Sequence, residues 1–359
     1  MALNQNQKNN SQQTDVIIVG QGIAGSVLAF SLIRAGYSVC VINQPALSSC
    51  STTAAGIWNP IVFKRLTNSW LADTIVPELI AFYTACEKEL HTTLLYKRSI
   101  IKPLNEEQEK SLWLKKAIDN PFLDGTIYEN LSVTDRLTIP SYSNVLLAGN
   151  IDTAKFLNEM KIYISETQTY IEEEFVYDDV ILENDRVRYH SHSAQKIIFC
   201  DGHLISKNPF FKWIPMKPAK GETVTIHCKG IHIGDAILNK GIFILPLGND
   251  TYKIGATYEW ETLTDEPTEK GLAELEQKLK TIITLPYTIL KQEAGIRPAV
   301  IDRRPVIGQH PIHQQAYIFN GFGTKAVMLA PYFAKELTQF IQTNSAIHPE
   351  VSPLRFYQK

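Results

Sequence analysis

The sequence predicts an α/β fold (α+β in its two-domain layout): a parallel, helix-covered sheet interleaved with an antiparallel-sheet domain. Three observations carry this. The N-terminal region runs strand, glycine turn, helix and strand within about thirty residues. The C-terminal region repeats strand, glycine turn and helix. Between them lie many short alternating runs, with a hairpin signal at Gly248-Asn249-Asp250. A length of 359 residues is also long for one core and favours two domains.

The elements follow in order. Residues 1–13 are rich in Asn, Gln, Lys and Ser and read as a disordered tail. They lack the apolar centre of a signal peptide. Residues 15–19 form a buried-type strand that runs into Gly20-Gln21-Gly22-Ile23-Ala24-Gly25. Residues 27–33 are apolar and helical, and close at Gly36. Residues 37–42 form a second strand. This frame is the one a dinucleotide fingerprint requires, so the parallel sheet is expected to be Rossmann-like. Gly20 permits the tight turn, Gly22 lets the backbone approach a pyrophosphate, and Gly25 lets helix and strand pack closely. Ile23 and Ala24 open the helix, whose free N–H groups favour phosphate charge. Where a carboxylate usually holds a ribose hydroxyl, the chain has Asn43-Gln44. Either amide can accept a hydroxyl hydrogen bond, and Asn43 can equally cap the strand.

Residues 51–65 form a small-residue loop. Residues 69–95 and 105–119 show helical periodicity, punctuated by Pro103 and Pro121. Residues 145–150 read as a strand, and Asp152 caps a helix to about Tyr163. Residues 170–199 and 222–260 are strand-rich, and residues 268–284 form a charged amphipathic helix. Strands near 305–308 and 316–320 precede a helix to about Gln342. The dinucleotide-binding domain is therefore expected at 14–70, 140–215 and 290–359. The second domain is expected at 71–139 and 216–289.

Bulk properties exclude several classes. Hydrophobic content of 44% and charged content of 20% are ordinary for a globular chain. A net charge of −2 gives no footprint for nucleic acid or an anionic membrane. No apolar run approaches a bilayer span. Five scattered cysteines without a C-x-x-C pair fit a reduced, cytoplasmic setting. His190 and His192 alternate on one strand but are too few for a metal site, and none is expected.

An ordered set of short motifs resembles the flavin-dependent amine and D-amino-acid oxidase family, which includes glycine oxidase and sarcosine oxidase. After the fingerprint come Thr53-Ala54-Ala55-Gly56-Ile57-Trp58 and residues 197–202, ending in Cys200-Asp201-Gly202. Residues 218–222 read Pro-Ala-Lys-Gly-Glu. Residues 243–246 read Phe-Ile-Leu-Pro and are followed by Ile254-Gly255-Ala256-Thr257. Residues 294–298 read Ala-Gly-Ile-Arg-Pro. Gly321-Phe322-Gly323-Thr324-Lys325 leads into the last helix. The set covers about residues 14 to 342. Cys200 departs from the family's alanine.

The resemblance implies FAD, with hydride passing to the flavin from a C–H next to nitrogen; no cysteine or histidine lies in a recognisable attachment motif, so the FAD is expected to be non-covalent. It implies a small-molecule substrate, an amino acid or amine, and oxygen or another electron acceptor. Residues 53–58 would run beside the flavin ring, with Trp58 either there or in the core. The Gly321–Thr324 segment and Lys325 would place positive charge near the reduced ring. Arg297 matches the arginine that holds an amino-acid carboxylate, as a planar guanidinium does well. Phe243 stands where these oxidases commonly carry a tyrosine hydroxyl, so Arg297 has less help. Tyr258 and Trp260 follow as pocket or sheet aromatics. Other readings stay open: a flavin-binding protein without turnover, an NADPH-dependent flavin monooxygenase, and a tRNA-modifying relative.

Overall fold

The computed structural model describes residues 12–44 and 50–357. Most of the expected tail lies outside them. Gln12 and Gln13 are no tail: strand β1 (Gln12–Val19) begins there, and Gln12 pairs with His192. Helix α1 (Ile23–Arg34) follows and ends before Gly36, whose φ of +89° only glycine adopts freely. Strand β2 (Val39–Asn43) returns beside β1 in parallel.

Five strands run parallel in the order Thr169–Glu172, β2, β1, His192–Phe199 and Ala316–Asn320. Their near-continuous apolar sequence has a simple cause: both faces are covered. Val16 and Ile18 face a core shared with α1 and helix Ala326–Thr343. Ile17 and Val19 face the opposite core, with Phe199, Phe211 and Ile318.

The second sheet runs Thr288–Arg297, Ala219–His227, Thr251–Gly255, Phe243–Gly248, Ile237–Asn239, Leu95–Pro103, Leu137–Ile151 and Ile57–Trp58. It is antiparallel except where Ile237–Asn239 meets Leu95–Pro103. The expected hairpin forms at Asn249 and Asp250, both with positive φ, which matches the twist of the flanking strands. The expected domain limits at 139/140 and 289/290 fall inside strands Leu137–Ile151 and Thr288–Arg297. The helix expected over 69–95 is Ala72–Glu89. The Glu87 carboxylate accepts the N–H groups of Leu94 and Leu95, and a strand missed in the sequence starts at Leu95. Its run of Lys97, Arg98, Ser99, Ile100 and Ile101 does not alternate cleanly, because its register shifts between Arg98 and Ile100.

The first turn is as tight as the glycine pattern predicts. A Cβ on Gly25 would lie 1.9 Å from the Gly20 carbonyl oxygen. Gly20 has φ +96°, and a Cβ there would lie 2.7 Å from the Cys200 carbonyl. Both neighbours are backbone, so neither can move aside cheaply. Gly25→Ala is expected to destabilise the fold by about 1–3 kcal/mol. Thermal unfolding reads this directly. An unchanged melting temperature would contradict the packing described for this turn.

Candidate active site

A cavity of about 750 Å³ opens at the carboxyl ends of the parallel strands and reaches across to the antiparallel sheet. The chain leaves β1 through Gly20, β2 through Asn43, and strand His192–Phe199 through Cys200. Crevices at such strand ends are where open α/β sheets bind ligands.

At the fingerprint end, Gly20, Gly22, Ile23, Ala24, Asn43 and Gln44 line the cavity. Gly25 does not, since its Cα is pressed against Gly20. The Asn43 side-chain oxygen accepts the Gln21 N–H at 2.9 Å, so Asn43 fixes the turn. Its amide group also bonds to the Tyr170 hydroxyl, and its oxygen keeps a second lone pair that can accept from a ligand. Helix α2 (Cys50–Thr53) docks onto the same turn, and Ser51 Oγ accepts the Ile23 N–H at 3.0 Å. The N–H groups of Gly22, Ala24 and Gly25 find no protein acceptor among the described residues. A helix start with orphan donors fits a pyrophosphate. The cavity volume also suits a large cofactor. The site therefore fits FAD.

Thr53, Ala54, Ala55, Gly56 and Ile57 line the middle of the cavity, and Thr53 Oγ1 donates to the Ala294 carbonyl at 3.1 Å. Trp58 does not line it. Its indole N–H donates to Leu147 O at 3.1 Å, and it is 1% exposed in the core. Phe322, Gly323 and Thr324 line the cavity, and the helix that follows begins at Ala326. Gly321 lies behind them. Lys325 is not brought in: its Nζ donates to Ser69 Oγ at 3.0 Å. Burial, and then Arg304, lower its pKa.

Cys200, Asp201 and Gly202 line the far side. Burial holds the Cys200 thiol well above its usual pKa, so it acts as a small apolar filler. The Asp201 carboxylate accepts from the Tyr177 hydroxyl (3.0 Å), Asn208 Nδ2 (3.0 Å) and Asn320 Nδ2 (2.8 Å). The Asn320 oxygen in turn accepts the Gly321 N–H at 2.7 Å. This chain of bonds joins two strand ends and was not read from the sequence, where Asn320 stood only as the first residue of a glycine motif. Gln21, missed for the same reason, donates to Leu157 O and accepts from the Tyr170 hydroxyl, both at 2.8 Å.

Arg297 sits at the antiparallel end, 9% exposed. Its Nη1 donates to Lys220 O at 3.2 Å and its Nη2 to Thr257 O at 3.1 Å. The Tyr258 ring lies 4.1 Å from the guanidinium carbon. No carboxylate pairs with it among the described residues. The guanidinium lies over Gly221, where a Cβ would be 1.8 Å from Nη2. Phe243 and Tyr258 both line this end. Trp260 is exposed and stacks on Tyr258, outside the cavity lining. Cys50 also lines the cavity; burial pushes its thiol up to about 11, against an opposing pull from Arg297.

Asp201 gives a pH test. Burial pushes its carboxyl from 3.8 up to about 6, against three side-chain donors and its own backbone N–H, which favour the charged form. The folded state therefore holds this proton more tightly than the unfolded chain. The associated stability is fully present below about pH 4 and is lost as pH rises through about 6. Wild type should lose stability relative to Asp201→Asn over that window. Parallel melting-temperature profiles for the two proteins would contradict the assignment.

Comparisons with known proteins place the chain in a family. A family model described as FAD dependent oxidoreductase matches residues 15–340. Glycine oxidase of Bacillus subtilis is 19% identical, over 88% of this chain and 90% of its own. The tRNA 5-methylaminomethyl-2-thiouridine biosynthesis bifunctional protein of Marinobacter nauticus is 21% identical over 91% of this chain. The match spans 55% of that bifunctional relative, so the chain covers about half its length. The solved iminodiacetate oxidase of Chelativorans sp. BNC1 shares the fold, with a TM-score of 0.77 at 20% identity, over 94% of this chain and 98% of its own. The match over most of the chain, together with a fingerprint turn that fits the cofactor, shows that this protein belongs to the FAD-dependent oxidoreductase family.

Proposed function

We propose that the protein oxidises the C–N bond of an amino acid or secondary amine whose carboxylate is held by Arg297. The observation that carries this reading is the buried guanidinium without a carboxylate partner, facing a cavity that fits FAD. A buried cation left unpaired is expensive, so an anionic ligand is its natural complement. Bound FAD supplies the acceptor for the two electrons that leave a C–H next to nitrogen.

The chain's own residues bind and orient. Two carbonyls and the Tyr258 face fix the guanidinium plane, which leaves its remaining N–H groups for a planar, bidentate carboxylate. Phe243 offers no donor and forms an apolar wall. We assign residues 20–25, 43–44, 53–57, 200–202 and 322–324 to the cofactor and expect it to be held without a covalent bond. The glycine oxidase and iminodiacetate oxidase relatives support an amine donor. The tRNA-modifying relative supports a second reading, in which the amine is carried on RNA. A net charge of −2 gives that reading no electrostatic help.

Arg297→Ala should weaken binding of a carboxylate-bearing substrate by about 1.5–3 kcal/mol, with FAD content unchanged. Arg297→Lys should not restore it, because an ammonium lacks the planar fork. Gly221→Ala should reproduce the defect, since its Cβ would occupy the guanidinium's place. Anaerobic flavin reduction, titrated against a panel of D- and L-amino acids, N-methyl amino acids and secondary amines, reads all three. Equal apparent affinity in wild type and Arg297→Ala would remove Arg297 from the site.

Acid precipitation of the native protein should release FAD into the supernatant, and Gly22→Val should be purified without flavin. Yellow colour retained in the pellet, or a folded Gly22→Val protein with full flavin content, would count against the cofactor assignments.

A further inference from the structure

The lining of the cavity's antiparallel end extends past the carboxylate anchor. Beyond Phe243, its wall is built from Ile100, Ile237 and Ile242, with one polar side chain among them, Asn239. Strand register explains the grouping. Ile237 pairs with Ile100, and Asn239 pairs with Phe243. Ile237 and Asn239 are two residues apart on one strand, so both point to the same face. The Asn239 side chain is half-buried, and its amide has no hydrogen-bond partner among the described residues. A carboxamide set in an apolar wall and open to the cavity is placed to meet a ligand's hydrogen-bonding group.

The sheet also gives the span. Asn239, Phe243, Gly255 and Thr223 lie in one row across four adjacent strands. Gly221, beneath the Arg297 guanidinium, lies on the Thr223 strand two residues away. Three interstrand spacings, about 14 Å, therefore separate the strand under the guanidinium from the strand of Asn239. A substrate the size of glycine or N-methylglycine cannot reach both. The Phe243 ring covers the interval between them.

We propose that Asn239 is a specificity residue for an extended substrate: a carboxylate-bearing amine whose apolar chain ends in an uncharged hydrogen-bonding group. The carboxylate sits on Arg297, the chain runs over Phe243 and the isoleucines, and the terminal hydroxyl or amide pairs with the Asn239 carboxamide. This rests on the reading of Arg297 as the carboxylate anchor. No ionised group lines the isoleucine wall, so a second charge at that end would be desolvated without a counter-ion.

Binding of non-oxidisable ether acids to the FAD-loaded protein tests this without turnover. Calorimetric titration would compare methoxyacetate, heptyloxyacetate and 6-hydroxyhexyloxyacetate, the last two differing only in a terminal methyl or hydroxyl. Wild type should bind the hydroxyl ligand on the order of three- to tenfold more tightly than the heptyl ligand. Asn239→Leu, which keeps the branching at Cγ and removes the polar atoms, should reverse that preference and leave methoxyacetate affinity unchanged. A wild type that binds both long ligands alike, or Asn239→Leu weakening all three equally, would overturn the role of Asn239. If instead Arg297→Ala leaves all three affinities intact, the anchor reading itself fails.

Discussion

One buried cation, Arg297, organises the antiparallel end of the cavity. Arg297 is carried on the last strand of the antiparallel sheet and bends back over its neighbour. Only glycine at 221 leaves room beneath it. Two backbone carbonyls and one aromatic face hold the guanidinium, and none of these neutralises it. The unmet charge is confined to a cavity, so binding an anion relieves the burial penalty that folding leaves in place. Residues 295, 221 and 255 are glycines for a common reason: each lets a neighbour come close to the cavity floor. Gly295 admits Cys50 at the start of α2, and Gly255 admits the Phe243 ring and the Thr223 methyl.

The cofactor half depends on a different contact, the near-touching backbones of Gly20, Gly25 and Cys200. That contact brings α1 down onto the end of β1 and aims its first N–H groups outward. The Asn43, Ser51 and Asp201 side chains then tie the loops from neighbouring elements to the same point. The two halves meet along the cavity because α2 touches both: Ser51 reaches the fingerprint turn, while Thr53 bonds to the Arg297 strand at Ala294.

Much of this was legible in the sequence because it rests on local rules. The strand–glycine–helix frame, the Gly36 stop, the Asp152 cap and the Asn249-Asp250 turn each follow from backbone geometry that few residues satisfy. Arg297 and Phe243, which line the cavity, sit at motif positions, and Tyr258 follows one directly. What stayed hidden depends on distant pairing. Strand Leu95–Pro103 is set by partners some forty to a hundred and forty residues away, and its own pattern is broken by a bulge. Lys325 and Trp58 sit inside cavity-forming motifs, yet their side chains turn away to Ser69 and Leu147. Asn239 had no motif at all; only the sheet register places it opposite the guanidinium.

The central claim is that one cavity holds FAD at the fingerprint turn and a substrate carboxylate at Arg297. A crystal structure of the FAD-loaded protein with methoxyacetate tests it most directly. The account predicts the pyrophosphate at the N–H groups of Gly22 and Ala24, and the acetate carboxylate paired with the Arg297 guanidinium beside Tyr258. A carboxylate bound elsewhere, with Arg297 still bonded only to Lys220 and Thr257, would contradict it.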